Sequence, residues 1–237
     1  MKILNKKITI FTNLILGFII LVVTIISFSP DTIVPIYGGE RVQAIYNGNK
    51  QKNNVSLMIN VYENSDVVCE MIDVLNRYNA KATFFVGGCW ADDNKETLVK
   101  IVESGNEIAN HGYFHLDHKN ISYEKNFQEI NLTGIIIESL SGVKPTLFAP
   151  PSGSFSDHTL ESAFELGYKV IMWSKDTIDW RDKDVNLIVK RATKNPENGD
   201  FILMHPKKHT LKALPSIIEF YQSSGYNLVT VSENLSE

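Results

Sequence analysis

Two histidines, His111 and His115, stand four residues apart, directly after the short run Glu107–Ala109. Neutral imidazoles at this spacing can share a divalent ion such as Zn²⁺. An isolated pair is more often coincidence than ligand set, so its weight depends on what else falls nearby. A third histidine, His205, follows the apolar run Phe201–Met204. Titrating near neutrality, such a group can donate a proton to a leaving nitrogen. Asp176 and Asp179 lie between Trp173 and Trp180. In the bland reading the aspartates are turn and cap residues. In the chemical one, an aspartate orients a histidine and Trp180 lines a sugar or acyl pocket.

These side chains need a frame. From Val55 onward, short apolar runs alternate with amphipathic segments, and strands are expected to start at Val55, Ala82, Glu107, Pro145, Tyr168, Asp200 and Asn227. Between them one helical stripe carries Val68, Met71, Ile72 and Leu75, and a second carries Leu98, Ile101 and Val102. A third helix is expected over Ser122–Leu140, and others start near Ser156, Asp184 and Thr210. Gly105, Gly167 and Gly225 follow such segments as helix stops do. Seven strand–helix pairs in about 180 residues point to a parallel α/β sheet, either open and doubly wound or closed into a barrel. Both place chemistry at the C-terminal strand ends. There fall Asn60–Asp66, His111–His118, Pro150–Ser154, Asp176–Trp180 and His205–His209.

The net charge of −4 leaves no basic footprint, which excludes nucleic acid as the expected partner. Lys2, Lys6 and Lys7 precede a charge-free run from Ile8 to Phe28, about 21 residues and long enough to span a bilayer. No small-residue cleavage pattern follows it, so residues 1–29 read as an uncleaved signal anchor, a transmembrane helix with its N-terminus in the cytoplasm. Residues 30–54 read as an extracytoplasmic tether with one short hairpin. Residues 55–237 read as a single folded domain. Cys69 and Cys89 read as free, packed thiols, with one disulfide as the alternative.

Five segments in order, Lys81–Gly88, Gly105–His115, Leu147–Ser156, Ser174–Trp180 and Gly199–His205, resemble the NodB-homology polysaccharide deacetylases, carbohydrate esterase family 4. The resemblance extends over nearly everything from Val55 to Val231. It implies a distorted (β/α)7-type barrel, a divalent metal held by one Asp and two His, and hydrolysis of N-acetyl groups on amino-sugar glycans such as peptidoglycan; with the N-terminal anchor, the expected location is a bacterial cell membrane. By that resemblance His111 and His115 are the metal pair, His205 is the general acid, and Asp179 with Trp180 is the Asp-Trp motif. The implied metal is zinc first, with cobalt or another divalent ion as alternatives. Trp180, Pro150, Pro151 and Ser152 are the expected substrate contacts.

The chain departs from the family pattern at its first motif, T-F-D-D-G, which supplies a base and then a metal ligand. Asn60 and Val61 hold those positions, so the expected catalytic site at Asn60 has no basic carboxylate, and valine cannot bind a metal. The family's Arg in F-R-P-P-Y-G is Ala149, and its Tyr is Ser152. An arginine left beside an asparagine would be an unpaired, partly buried cation, so the two losses are coherent. Asp66 is the expected replacement ligand, with Glu63 as the alternative, and Asp66 is equally suited to cap the next helix. Asp117 and His118 are further donors. Two functions stay open: a membrane-anchored, metal-dependent polysaccharide deacetylase, and a retired member that binds cell-wall glycan without turnover.

Overall fold

The structure is a computed structural model that describes residues 11, 13–21, 36–37 and 40–236. Contacts divide the chain into Met1–Val34 and Pro35–Glu237. In the first unit, residues 13–21 form a helix, α1, with exposed side chains. The rest of the expected Ile8–Phe28 span lies outside the described residues. Among those described, no helix is long and apolar enough to cross a membrane.

The second unit opens with a hairpin, β1 (Ile36–Tyr37) and β2 (Glu40–Arg41), as expected for the tether. The next residues do not behave as a tether. Val42 is buried with Ile130, Phe148 and Leu160, and the Gly48 and Asn49 amides donate to the Gly199 and Asn234 carbonyls. Folded structure therefore begins ahead of Val55. Six elements follow: β3 (Asn54–Val61), α2 (Ser65–Arg77), β4 (Ala82–Val86), α3 (Gly88–Asp93), α4 (Lys95–Glu103) and β5 (Glu107–Asn110). After them come α5 (Tyr123–Ser141), β6 (Leu147–Phe148), α6 (Asp157–Glu165), β7 (Lys169–Val170), β8 (Lys175–Asp176) and α7 (Val185–Thr193). The chain ends with β9 (Phe201–Met204), α8 (Lys208–Ser223), β10 (Asn227–Leu228) and α9 (Val231–Leu235).

The strands pair in parallel in the order β7-β6-β5-β4-β3-β9-β8, with β10 added to the start of β3. The segment expected as one strand from Tyr168 is two short ones. Lys169–Val170 pairs with β6 at one end of the sheet, and Lys175–Asp176 pairs with β9 at the other. Between them Ile171 bridges to Ile45, with the Ile45 amide donating to Val170 and the Met172 amide to Ile45. One bent segment thus joins the two ends and curls the sheet into a half-barrel.

Strand periodicity sorts β3 by parity. Leu57, Ile59 and Val61 enter the core shared with α2, α4 and α8, whereas Met58 packs in the inner cluster with Phe85, Ala109 and Phe201. Burying a Leu or Ile side chain contributes about 1.5–3 kcal/mol, so this pattern fixes the strand's register strongly. Asn60 shares the parity of Met58, which turns it toward the mouth of the half-barrel. Helix ends follow their signals. Asp184 accepts from the amides of Asn186 and Leu187, and Gly167 and Gly225 leave α6 and α8 with φ of 79° and 82°. Cys69 and Cys89 are free thiols.

Candidate functional site

A cavity of about 680 Å³ opens at the C-terminal ends of the parallel strands, within the usual size for a small-ligand site. Its walls include Asn60, His111, His115, Ser152, Trp180 and His205 from five separate strand-end loops.

His111 follows β5, is 2 % exposed, and has its Nδ1 2.7 Å from the Ala149 carbonyl oxygen. That bond requires an Nδ1–H donor, which leaves Nε2 as a lone-pair nitrogen. Burial, reinforced by the neighbouring His115, pushes the His111 imidazole down to about 3 and keeps it neutral. The rings of His111 and His115 lie 5.3 Å apart, nearly perpendicular. No helical turn brings them together. The structure instead uses a loop in which Gly112 and His115 take φ of 73° and 56°. Glu129, buried on α5, braces it by accepting from the Tyr113 and Phe114 amides at 3.0 and 2.7 Å. Burial also lowers the His115 imidazole, with the nearby His205 adding to the effect.

His205 follows β9, and two bonds of 2.7 Å tie it to Asp179, from its backbone amide and from ring Nδ1. Asp179 is 1 % exposed and also accepts from the Thr210 hydroxyl at 2.6 Å. Burial alone would raise the Asp179 carboxyl. The His205 and Thr210 bonds outweigh it and hold the carboxyl below its ordinary range. Asp179 therefore orients His205, and Nε2 is the ring nitrogen left for a ligand.

Several expected residues stand elsewhere. Asp66 is exposed in the first turn of α2, away from the cavity, because the helix begins immediately after the loop that would have carried it inward. Nor is it the cap, since Asn64 holds that position in left-handed conformation without a side-chain bond. Glu63 does line the cavity, its carboxylate against Lys207, but it forms no metal-holding group of three with His111 and His115. Val61 is fully buried in the core facing the helices. Pro150 and Pro151 are buried and do not line the cavity; they form the short turn that presents Ser152, with the Gly153 amide donating to Pro150. Asp117 accepts from Lys119, Asn120 and Ser154, and His118 is fully buried with Nδ1 2.7 Å from Asn126 Oδ1. Neither lines the cavity.

A resident metal ion is the group the family pattern implies. Two neutral imidazoles are present, but among the described residues no cluster of three or more His, Cys, Asp or Glu side chains could hold an ion. Asn60 lies beside the pair with its Oδ1 buried and without a hydrogen-bond partner, a neutral acceptor where a carboxylate is needed. The donor set does not fit a three-ligand zinc centre. Tyr62 and Phe114 also line the cavity and went unnoticed in the sequence. Tyr62 lies 5.1 Å from His115, and Phe114, inside the histidine motif itself, is an exposed aromatic of the kind that stacks on sugars.

Comparison with known proteins agrees with this geometry. The polysaccharide deacetylase family pattern matches residues 47–171. The protein YlxY of Bacillus subtilis is 36 % identical over 195 residues, 82 % of this chain, and the chain spans 61 % of that relative's length. A peptidoglycan-N-acetylglucosamine deacetylase of Bacillus cereus is 36 % identical over 172 residues, 70 % of this chain and 80 % of its own. Among solved structures, BA3943 of Bacillus anthracis, a family 4 carbohydrate esterase pseudoenzyme, superposes with a TM-score of 0.81 at 32 % identity over 84 % of this chain and 71 % of that one. A mutant of BA3943 has restored enzymatic activity. Family members generally depend on a divalent metal. By its family pattern, its relatives and its fold, this chain belongs to the polysaccharide deacetylase family.

Proposed function

We propose that the cavity binds an N-acetylated amino sugar of peptidoglycan, and that the chain is a deacetylase-family protein whose own amide hydrolysis has been retired. The observation that carries this reading is a contrast within one pocket. The proton-donating half, His205 oriented by Asp179, is intact, while Asn60 and the buried Val61 stand where a base and a metal ligand are needed. Asparagine cannot take a proton from an attacking water. Trp180 and Phe114, 56 % and 54 % exposed at the rim, offer faces for the sugar ring. Binding needs only these faces and the polar wall; turnover needs the missing base.

The second reading, hydrolysis of the N-acetyl group with His205 protonating the departing amine, is favoured by the retained His205–Asp179 dyad. Zinc is the ion that reading calls for. The N-terminal run from Ile8 to Phe28 would anchor the protein in a bacterial membrane with the domain outside, a reading supported by its length and the three lysines ahead of it. Acetate release from N-acetylglucosamine oligomers and from peptidoglycan, with and without zinc or cobalt, separates the two functions. Binding without release supports the first reading, and release lost in His205→Ala establishes the second.

A further inference from the structure

We infer that the pocket selects an amino sugar carrying a carboxylate beside its acetamido group, and that Lys207 is the receptor for that carboxylate. The inference rests on the glycan reading and names the class of sugar. Lys207 is the only lysine or arginine among the described residues lining the cavity. Two carboxylates share the wall. Asp176 accepts from the Ile178 amide in a local turn, and Glu63 is the partner of Lys207.

The Glu63–Lys207 pair can exchange. Its side chains are 52 % and 28 % exposed, and an ion pair this open to water contributes little, so an incoming carboxylate can replace Glu63 without large loss. The loops do not depend on the pair to stay in place. Asn64 Nδ2 donates to the Pro206 carbonyl at 3.0 Å, and the Lys207 amide donates to the His205 carbonyl at 2.8 Å. Lys207 therefore keeps its position when Glu63 lets go.

Position along the chain sets the chemistry recognised. Lys207 lies two residues beyond His205, whose ring is fixed by Asp179. His205 and Lys207 line the same cavity, so a sugar with its acetamido group at His205 shares that wall with the lysine arm. N-acetylmuramic acid carries a lactyl ether on the ring carbon beside its acetamido group, ending in a carboxylate. When a peptide stem amidates that group, the stem supplies carboxylates a few bonds further out. N-acetylglucosamine offers neither.

Calorimetric titration of the full-length chain tests this with four probes: the N-acetylglucosamine–N-acetylmuramic acid disaccharide, its lactyl methylamide, the disaccharide tripeptide, and chitotetraose. The free-acid disaccharide is expected to bind about tenfold tighter than the methylamide, the scale of one charge-assisted bond at a partly wet site. In Lys207→Gln that ratio falls to near one, and in Glu63→Gln, where the competitor is neutral, it rises. Salt narrows it. A tripeptide that binds as tightly as the free acid assigns the carboxylate to the stem; one as weak as the methylamide assigns it to the lactyl group. A ratio near one in the native chain, or one unchanged by Lys207→Gln, overturns the inference. Chitotetraose binding under those conditions leaves the glycan reading intact. Failure of all four probes to bind removes both.

Discussion

His111 ties the site to the stability of the fold through protons. Its imidazole is held at about 3 by burial and by His115, against an ordinary value near 6.5. The unfolded chain therefore binds a proton at this position between those values and the native chain does not. Stability rises with pH through that window: it is fully present above the unfolded value and is lost as pH falls toward the folded one. Integrating between pH 7 and pH 5 gives a loss of about 2 kcal/mol from His111 alone. His115 and His118 are lowered in the same direction, each chiefly by burial, and add to the slope. Urea denaturation of the native chain and of His111→Gln at both pH values measures the effect. Glutamine does not titrate and can still donate to the Ala149 carbonyl. The variant should lose about 2 kcal/mol less than the native chain over this interval. Equal losses in both proteins would refute the claim that His111 is buried in neutral form.

Three further outcomes are expected. Val61 is fully buried on the helix side of β3, so Asn60→Asp/Val61→Asp should destabilise the fold by about 3 kcal/mol through unpaired carboxylates. Added Zn²⁺ should leave the melting temperature of that variant and of the native chain unmoved, because the carboxylate introduced at position 61 faces the helices and not the His111–His115 pair. Asp179→Asn keeps the shape but loses the charge in three short bonds, and should cost about 2–4 kcal/mol in thermal unfolding, because an amide cannot accept at both of its ends. In Gly153→Ala a Cβ would meet Trp173 at 2.5 Å on a residue with φ of 66°, so a loss of about 1–2 kcal/mol should accompany weaker glycan binding, read by denaturation and calorimetry.

Much of this molecule was legible before its coordinates. The alternation of apolar runs placed β3, β4, β5 and β9 within a residue or so, because buried parallel strands must be continuously apolar. Asp184 and Ser156 announced the starts of α7 and α6, since an orphaned helix amide takes whatever side-chain oxygen is adjacent. His111, His115, Asp179 and His205 were legible as a group because each follows a strand, and a parallel sheet gathers its strand ends on one side. The tether, by contrast, concealed part of the fold. Residues Val42–Asn49 pack and pair through backbone bonds that need no periodic pattern.

Sequence by itself determined which chemical groups this protein owns, and above all that the first motif carries no carboxylate. Only the tertiary structure decided whether others could replace it. It placed Asp66 on an exposed helix turn, gave Glu63 to Lys207, and turned Val61 into the helix-facing core while leaving Asn60 Oδ1 unpartnered at the cavity. The reason is geometric: residues close in sequence share an element, but strand parity, helix phase and loop direction determine which of them point at the same few cubic ångströms.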